Sequence, residues 1–149
     1  METNQLTMIN LLIETHVGLE RQGPGSPEMT YKALEFLDDL DRVALTADLG
    51  CGSGGQTMIL AKHLTGTVVG LDLFPDFISV FNENAQKQGL GERVMGVVGS
   101  MDDLPFEKES FDLIWSEGAI DNIGFEKGLA HWHCFLKKHG YVAVTCPSW

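Results

Sequence analysis

The segment from Asp48 to Gly55 reads Asp-Leu-Gly-Cys-Gly-Ser-Gly-Gly and follows an apolar run, which makes it a candidate ligand-binding loop. A loop rich in glycine lets the backbone approach a ligand closely, and the helix predicted after it offers N–H donors. Gly50, Gly52 and Gly55 match the dinucleotide pattern G-x-G-x-x-G. Gly50, Gly52 and Gly54 also form G-x-G-x-G behind an acid, so the glycines alone leave the type of ligand open.

Two acids lie near this loop, and the first of them narrows the choice between a dinucleotide and a cationic ligand. An ionised Asp48 would repel the doubly negative pyrophosphate of a dinucleotide and would attract an ammonium or sulfonium group. Its structural alternative is an acceptor for loop N–H groups. Asp72 lies 22 positions after Gly50 and can accept hydrogen bonds from a ribose diol, which both kinds of ligand carry. Cys51 lies at the predicted start of a helix, which could lower the pKa of its thiol, although a reactive role is the less favoured interpretation.

Further candidates follow the later strands. Ser100-Met101-Asp102 comes after the third predicted strand and can meet a base edge. Glu117 and Asp121 come after the fourth and are the substrate-side candidates for catalysis. Glu117 could act as a base, orient a substrate amine or hydroxyl, or simply cap the next helix.

The elements that must position these residues follow from the apolar periodicity. From residue 43 onward, short apolar strands alternate with helices, which predicts βαβ units, a parallel sheet and a ligand at the carboxyl ends of the strands. A cap at Ser26 with Pro27 at the first helical position starts one helix. The predicted strands are residues 43–49, 67–71, 94–98, 111–115 and 141–145, and the predicted helices are residues 5–20, 27–40, 55–64, 75–88 and 125–138.

Four motifs in this order resemble the class I S-adenosylmethionine-dependent methyltransferases, in particular the small-molecule group that includes quinone-biosynthesis-type enzymes. They are Asp48-Leu-Gly-Cys-Gly-Ser-Gly, Val-Val-Gly-Leu-Asp72, Gly-Ser100-Met-Asp-Asp-Leu-Pro-Phe and Ser-Phe-Asp-Leu-Ile-Trp-Ser-Glu117-Gly-Ala. The resemblance implies an α/β, Rossmann-like, doubly wound and mostly parallel sheet of order 3-2-1-4-5. It also implies an N-terminal helical lid segment over residues 1–42 and a cofactor-binding core over residues 43–149.

The resemblance implies S-adenosyl-L-methionine as cofactor and assigns roles to matching positions. Asp48 and the glycine loop would hold the methionine moiety, Asp72 the ribose hydroxyls, and Leu73 the adenine ring. The chain has Ser100 where the commonest family pattern has Asp, and Asp102 is the nearby acid that could compensate. The full set of expected cofactor-binding residues is Asp48, Gly50, Cys51, Gly52, Gly54, Asp72, Leu73, Ser100, Met101, Asp102 and Glu117.

The implied reaction is methyl transfer to a small-molecule acceptor by in-line displacement. Such a step mainly requires alignment of donor and acceptor, and a base helps only where the acceptor is protonated. Two alternatives stay open: an NAD-dependent oxidoreductase, and a module that binds S-adenosylmethionine without catalysis.

Composition limits the partners and the location. The 149 residues contain 21 acids against 10 Lys and Arg, a formal net charge of −11, which disfavours a nucleic-acid partner. No apolar run approaches the length of a membrane span. Three scattered cysteines favour a reducing, cytoplasmic location. The spacing of His131, His133, Cys134 and His139 fits a metal site poorly, and we expect none.

The resemblance also bears on length. It implies two further strands and a helix after the fifth strand, whereas the sequence stops at Trp149. We therefore expect a fragment of a longer product. The alternative is a minimal variant whose open edge at strand 5 is covered by a partner chain, as in a homodimer.

Overall fold

The structure is a computed structural model that describes residues 2–147, with side chains from residue 5 onward. The predicted segment 1–42 includes Met1, which lies outside the described residues. The predicted segment 43–149 includes Ser148 and Trp149, which also lie outside them. No helix within the described part is long and apolar enough to cross a membrane.

Five parallel strands form one sheet in the described residues, in the order β3-β2-β1-β4-β5. This confirms the predicted Rossmann-like fold and strand order. Because all strands run the same way, their carboxyl ends meet at one edge of the sheet, where the predicted site residues lie. The strands are β1 Leu45–Leu49, β2 Thr67–Asp72, β3 Val94–Val98, β4 Phe111–Glu117 and β5 Leu136–Thr145.

Helices lie between the strands and ahead of the first one. Ser26 caps α2, since its Oγ accepts a hydrogen bond from the main-chain N–H of Met29, and Pro27 begins the helix as predicted. The helices are α1 Glu2–His16, α2 Pro27–Leu34, α3 Gly55–His63, α4 Pro75–Lys87 and α5 Phe125–Trp132, with short 3-10 turns at Leu40–Arg42, Ile120–Asn122 and His133–Phe135.

The core has two halves, one on each face of the sheet. Successive residues of a strand point to opposite faces, so Leu113 and Trp115 of β4 join one cluster and Ile114 joins the other. Phe81 of α4 anchors the first half and Trp132 of α5 the second, and both are fully buried. A sheet covered on both faces gives the site a rigid floor.

Two predicted helices are too long. The helix over residues 125–138 is wrong beyond Trp132, because Phe135 turns into the core and Leu136 already pairs with Phe111 at the start of β5. The helix over residues 27–40 ends at Leu34, and the chain then tightens before Asp39 adopts a left-handed conformation.

The first helix is displaced relative to its prediction over residues 5–20, and its apolar side is only partly buried. Leu12 is 54% exposed, while Ile13 and His16 are half-buried. The helix ends at His16, and the chain that follows crosses the carboxyl edge of the sheet to reach α2. Part of this crossing segment, residues 17–26, forms one wall of the candidate site.

Candidate functional site

A pocket of about 560 Å³ lies at the carboxyl ends of β1, β2, β3 and β4. Its floor is the glycine loop, and its sides are the residues that follow β2, β3 and β4. Its fourth side comes from the N-terminal part of the chain, which contributes Leu12, Ile13, His16 and residues 21–24. The pocket therefore collects the segments that the sequence singles out, together with a wall from the N-terminal segment, for which the resemblance implies the role of a lid.

The glycine loop needs glycine where other segments press against it. Gly50 has a φ of 76°, and a Cβ there would lie 2.4 Å from the Cβ of Ala119. Gly52 has a φ of 55°, and a Cβ there would lie 2.1 Å from Oε1 of Gln22. Side chains at either position would clash and would also strain the backbone. The loop is thus held closely by the segment after β4 and by the N-terminal segment.

Asp48 lies behind the pocket lining. It is fully buried, accepts a hydrogen bond of 2.5 Å from Oγ1 of Thr57, and lies 3.4 Å from Nε2 of Gln56, which itself lines the pocket. Burial raises the pKa of Asp48 to about 7, and the two hydrogen bonds only partly offset this; Glu117 raises the pKa further and Arg21 opposes it. Its expected contact with the methionine moiety stays a prediction.

Asp72 lines the pocket at the end of β2, as predicted. Its two carboxylate oxygens accept hydrogen bonds from the main-chain N–H groups of Gly52, at 2.9 Å, and Phe74, at 3.1 Å. Burial raises the pKa of Asp72 despite these hydrogen bonds. The carboxylate therefore fixes the glycine loop against β2, and Leu73 beside it presents an apolar side chain that is 60% exposed.

The segment after β3 supplies the opposite side of the pocket. Ser100, Met101 and Asp102 all line it, as predicted. The main-chain carbonyl of Met101 accepts a hydrogen bond from Nε1 of Trp132, at 2.9 Å, so the segment is fixed to the core. The carboxylate of Asp102 pairs with Lys127 at 2.8 Å and lies largely in solvent. Asp102 is present at the site, but its charge is already partnered.

Cys51 lines the pocket, yet its thiol is not activated. Burial raises its pKa well above the usual value, and the nearby carboxylates of Asp48 and Asp72 raise it further. The predicted lowering of this pKa by the helix start is wrong, because desolvation and two negative charges outweigh the helix.

Glu117 lines the pocket at the end of β4, but both of its oxygens have partners. Oε1 accepts hydrogen bonds from Oγ1 of Thr30, at 2.7 Å, and from Nε1 of Trp115, at 2.8 Å, while Oε2 pairs with the guanidinium of Arg21. These contacts favour a structural role for Glu117 over the expected role as a base. Asp121, the second catalytic candidate, is exposed and lies outside the lining.

Sequence reasoning missed the residues that connect the N-terminal segment to the site. Arg21 reaches Glu117 across 96 positions, and its side chain is 14% exposed. Gln22 accepts a hydrogen bond from the main-chain N–H of Ser53, at 2.8 Å, and donates one to the Ser53 hydroxyl, at 2.7 Å. Neither residue belongs to a recognisable spacing motif. The feature of the sequence that could have pointed to them is one cationic residue, Arg21, beside a polar, glycine-rich turn.

A metal centre finds no basis here. Within residues 2–147, no three or more His, Cys, Asp and Glu side chains converge in an arrangement that could hold a metal ion. The groups in the pocket that can take part in a reaction include its carboxylates, its amides and the imidazole of His16.

Comparison with known proteins identifies the family to which this chain belongs. Residues 47–144 match the sequence profile of the methyltransferase domain, and the chain belongs to this family. It is 35% identical over 101 residues to the sarcosine/dimethylglycine N-methyltransferase of Aphanothece halophytica, covering 67% of this chain and 36% of the relative. It is 32% identical over 89 residues to the ribosomal protein L11 methyltransferase of Yersinia pestis, covering 59% of this chain and 29% of the relative.

Comparison with solved structures also shows similarity to methyltransferases. A phosphoethanolamine N-methyltransferase from Haemonchus contortus, solved with phosphomonomethylethanolamine and S-adenosylhomocysteine, superposes with a TM-score of 0.75 at 25% identity. The alignment covers 90% of this chain and 31% of that one. The chain thus spans about a third of the length of the relatives it matches.

We predict that Glu117→Gln lowers the free energy of unfolding by about 3–5 kcal/mol, because it leaves the buried guanidinium of Arg21 without a counter-charge. Arg42→Gln is the matched control, since Arg42 pairs with Asp39 in solvent and such pairs contribute about 0–1 kcal/mol. Urea unfolding at neutral pH measures both. Equal losses in the two variants would show that the Arg21–Glu117 pair does not stabilise the fold.

We also predict a pH dependence from Asp48. Its folded pKa of about 7 lies above its unfolded value of about 4, so its contribution to stability is fully present below about pH 4 and is lost as pH rises through 7. Asp48→Asn should weaken this fall, so that its Tm improves relative to wild type as pH rises. Asp72 shifts in the same direction and should leave a residual slope.

Thermal melts across this pH range measure the effect, with Asp103→Asn as the control, because Asp103 is exposed. A difference in Tm between Asp48→Asn and wild type that does not change with pH would contradict the prediction.

Proposed function

We propose that the chain binds S-adenosyl-L-methionine and transfers its methyl group to a small-molecule acceptor. The observation that carries this proposal is the convergence of the glycine loop, Asp72 and residues 100–102 in one pocket at the carboxyl ends of adjacent strands. The match of residues 47–144 to the methyltransferase domain supports it. That match is to a methyltransferase family, so it lends no support to an NAD-dependent oxidoreductase.

The residues present fit this cofactor. The side chains of Leu73 and Phe77 offer an apolar wall for an adenine ring. Asp72 keeps acceptor capacity at the pocket surface for ribose hydroxyls, since each of its oxygens accepts one hydrogen bond from the main chain and can accept another. Asp72, a lining carboxylate whose partners are main-chain N–H groups and not a cation, places negative charge at the pocket, which suits a cationic sulfonium.

When bound, the cofactor supplies a methyl group on an activated, positively charged sulfur. The chain then has to exclude water, hold the acceptor in line and remove a proton where the acceptor carries one. Residues 21–24, with Leu12 and Ile13, close one side of the pocket and are suited to the first two tasks.

An amine is the acceptor class that the relatives favour. The relatives named for sarcosine, dimethylglycine and phosphoethanolamine N-methylation support a small amine. The relative named for ribosomal protein L11 makes a protein side chain the second candidate. The enclosing N-terminal wall favours the small molecule, because a protein acceptor requires an open mouth. We propose the roles of residues 1–42 as lid segment and 43–149 as core on the same basis.

Binding tests the function directly. In isothermal titration, wild type should bind S-adenosylmethionine and S-adenosylhomocysteine, and Asp72→Asn should bind them about 10- to 100-fold more weakly, the value of a lost charge-assisted hydrogen bond. Asp103→Asn is the matched control on an exposed acid. Binding of NAD alone would overturn the proposal, and cofactor binding without turnover across an amine panel would favour a non-catalytic module.

We further propose that the protein is cytoplasmic and forms a homodimer through the outer edge of β5. The described cysteines, Cys51, Cys134 and Cys146, are all free, which supports a reducing location testable by cell fractionation.

Within the described residues β5 pairs only with β4, which leaves its other edge available to a second copy. Analytical ultracentrifugation should give the dimer mass, and a monomer at micromolar concentration would contradict the homodimer.

A further inference from the structure

The imidazole of His16 has a defined orientation at the pocket wall. His16 is the last residue of α1, is half-buried and lines the pocket. Its Nδ1 lies 2.8 Å from the main-chain carbonyl of Leu12 and 2.9 Å from Oγ1 of Thr15. Because a carbonyl oxygen can only accept, Nδ1 must carry the proton. The neutral ring therefore has a bare lone pair on Nε2.

The position of this ring is tied to the glycine loop. The main-chain carbonyl of His16 accepts a hydrogen bond of 3.0 Å from Nε2 of Gln22. The same amide group contacts both the N–H and the hydroxyl of Ser53 in the glycine loop. Through Gln22, the end of α1 is therefore held at a fixed place relative to the floor of the pocket. A base oriented by a further group is the arrangement that proton transfer requires.

The other proton-accepting groups of the pocket have charge partners, main-chain partners or, for Asp72, the proposed role at the ribose. Glu117 is ion-paired with Arg21 and carries two more hydrogen bonds, and Asp102 is paired with Lys127. Asp72 holds two main-chain N–H groups, and Cys51 is a buried thiol. Nε2 of His16, by contrast, has no hydrogen-bond partner in the described part of the chain.

We propose that His16 is a catalytic residue that accepts a proton from the acceptor nitrogen, and that the substrate is a small amine that enters as its ammonium form. This inference rests on the proposed methyltransferase function. An ammonium nitrogen has no lone pair and cannot attack a methyl group. In the proposed step, the N–H bond breaks and its electron pair stays on nitrogen, while the Nε2 lone pair forms the new N–H bond. The amine is then neutral and nucleophilic, and the imidazolium later returns its proton to water.

The pocket also sets the charge around this step. The titratable or charged groups that share the lining with His16 are Arg21, Cys51, Asp72, Asp102 and Glu117. Arg21 and Glu117 compensate each other, and Lys127 compensates Asp102. Asp72 is the lining carboxylate without a cationic partner among these, and it favours both a cationic amine and an imidazolium.

The chain provides a matched control for His16. His63, at the end of α3, has the same contact between Nδ1 and the carbonyl four residues earlier, at 2.8 Å from Ile59. Its ring packs against that of Tyr31 at a tilt of 57° and lies outside the pocket lining. His63→Gln therefore removes an equivalent ring and an equivalent helix-end contact without touching the pocket.

The first experiment is ¹⁵N NMR of the ligand-free chain, with His16→Gln and His63→Gln used to assign the two rings. At a pH where the rings are neutral, we expect His16 to show a protonated Nδ1 and a bare Nε2. A His16 ring protonated on Nε2 would overturn the proposal. This readout needs neither cofactor nor acceptor, so it stands even where the proposed function fails.

The second experiment measures turnover across pH with S-adenosylmethionine and a panel of amines that includes sarcosine and phosphoethanolamine. We expect His16→Gln to lower kcat about 10²- to 10⁴-fold at neutral pH, with the loss shrinking at high pH, where the amine arrives unprotonated. His63→Gln should match wild type, and S-adenosylhomocysteine affinity should stay within about twofold in both. A kcat of His16→Gln close to wild type would overturn the role of His16, whereas loss of cofactor binding in wild type would overturn the proposed function instead.

Discussion

The pocket depends on a buried ion pair between Arg21 and Glu117. Each charge alone would cost several kcal/mol in this environment, whereas together they neutralise each other, and Thr30 and Trp115 partner the second carboxylate oxygen. The pair joins the segment between α1 and α2 to the end of β4. The fourth side of the pocket is therefore held in place by two charges far apart in sequence, together with the hydrogen bonds between Gln22 and Ser53.

The need to partner buried charges also explains why several acids at this edge hold loops and helices in place. Asp48 holds the first turn of α3 through Thr57 and Gln56, and Asp72 holds Gly52 and Phe74. A reaction that depends on alignment of donor and acceptor needs such fixed walls more than it needs a set of acids and bases. The carboxylates supply rigidity and negative potential, and the imidazole of His16 is left as the group with a free lone pair.

Much of the fold could be predicted because its signals are local. Apolar runs separated by helical periodicity predicted all five strands and their parallel orientation, and Ser26-Pro27 predicted the start of α2 correctly. The order of the strands was implied by the family resemblance. The errors lie where long-range contacts override local preference. Residues 136–138 have a helical pattern, but the pairing of Leu136 with Phe111 draws them into β5. The thiol of Cys51 sits at a helix start, yet burial beside two carboxylates decides its pKa.

The sequence by itself determined the strand–loop–helix units and the residues at their ends, because steric limits on glycine and the alternation of apolar side chains act between near neighbours. Asp72, Leu73 and residues 100–102 therefore lie where the motifs predicted. Only the tertiary structure decided that Arg21 pairs with Glu117 and that Asp48 lies behind the lining. Such choices depend on which side chains meet after packing and on how much water packing removes, and neither is encoded in the spacing of residues along the chain.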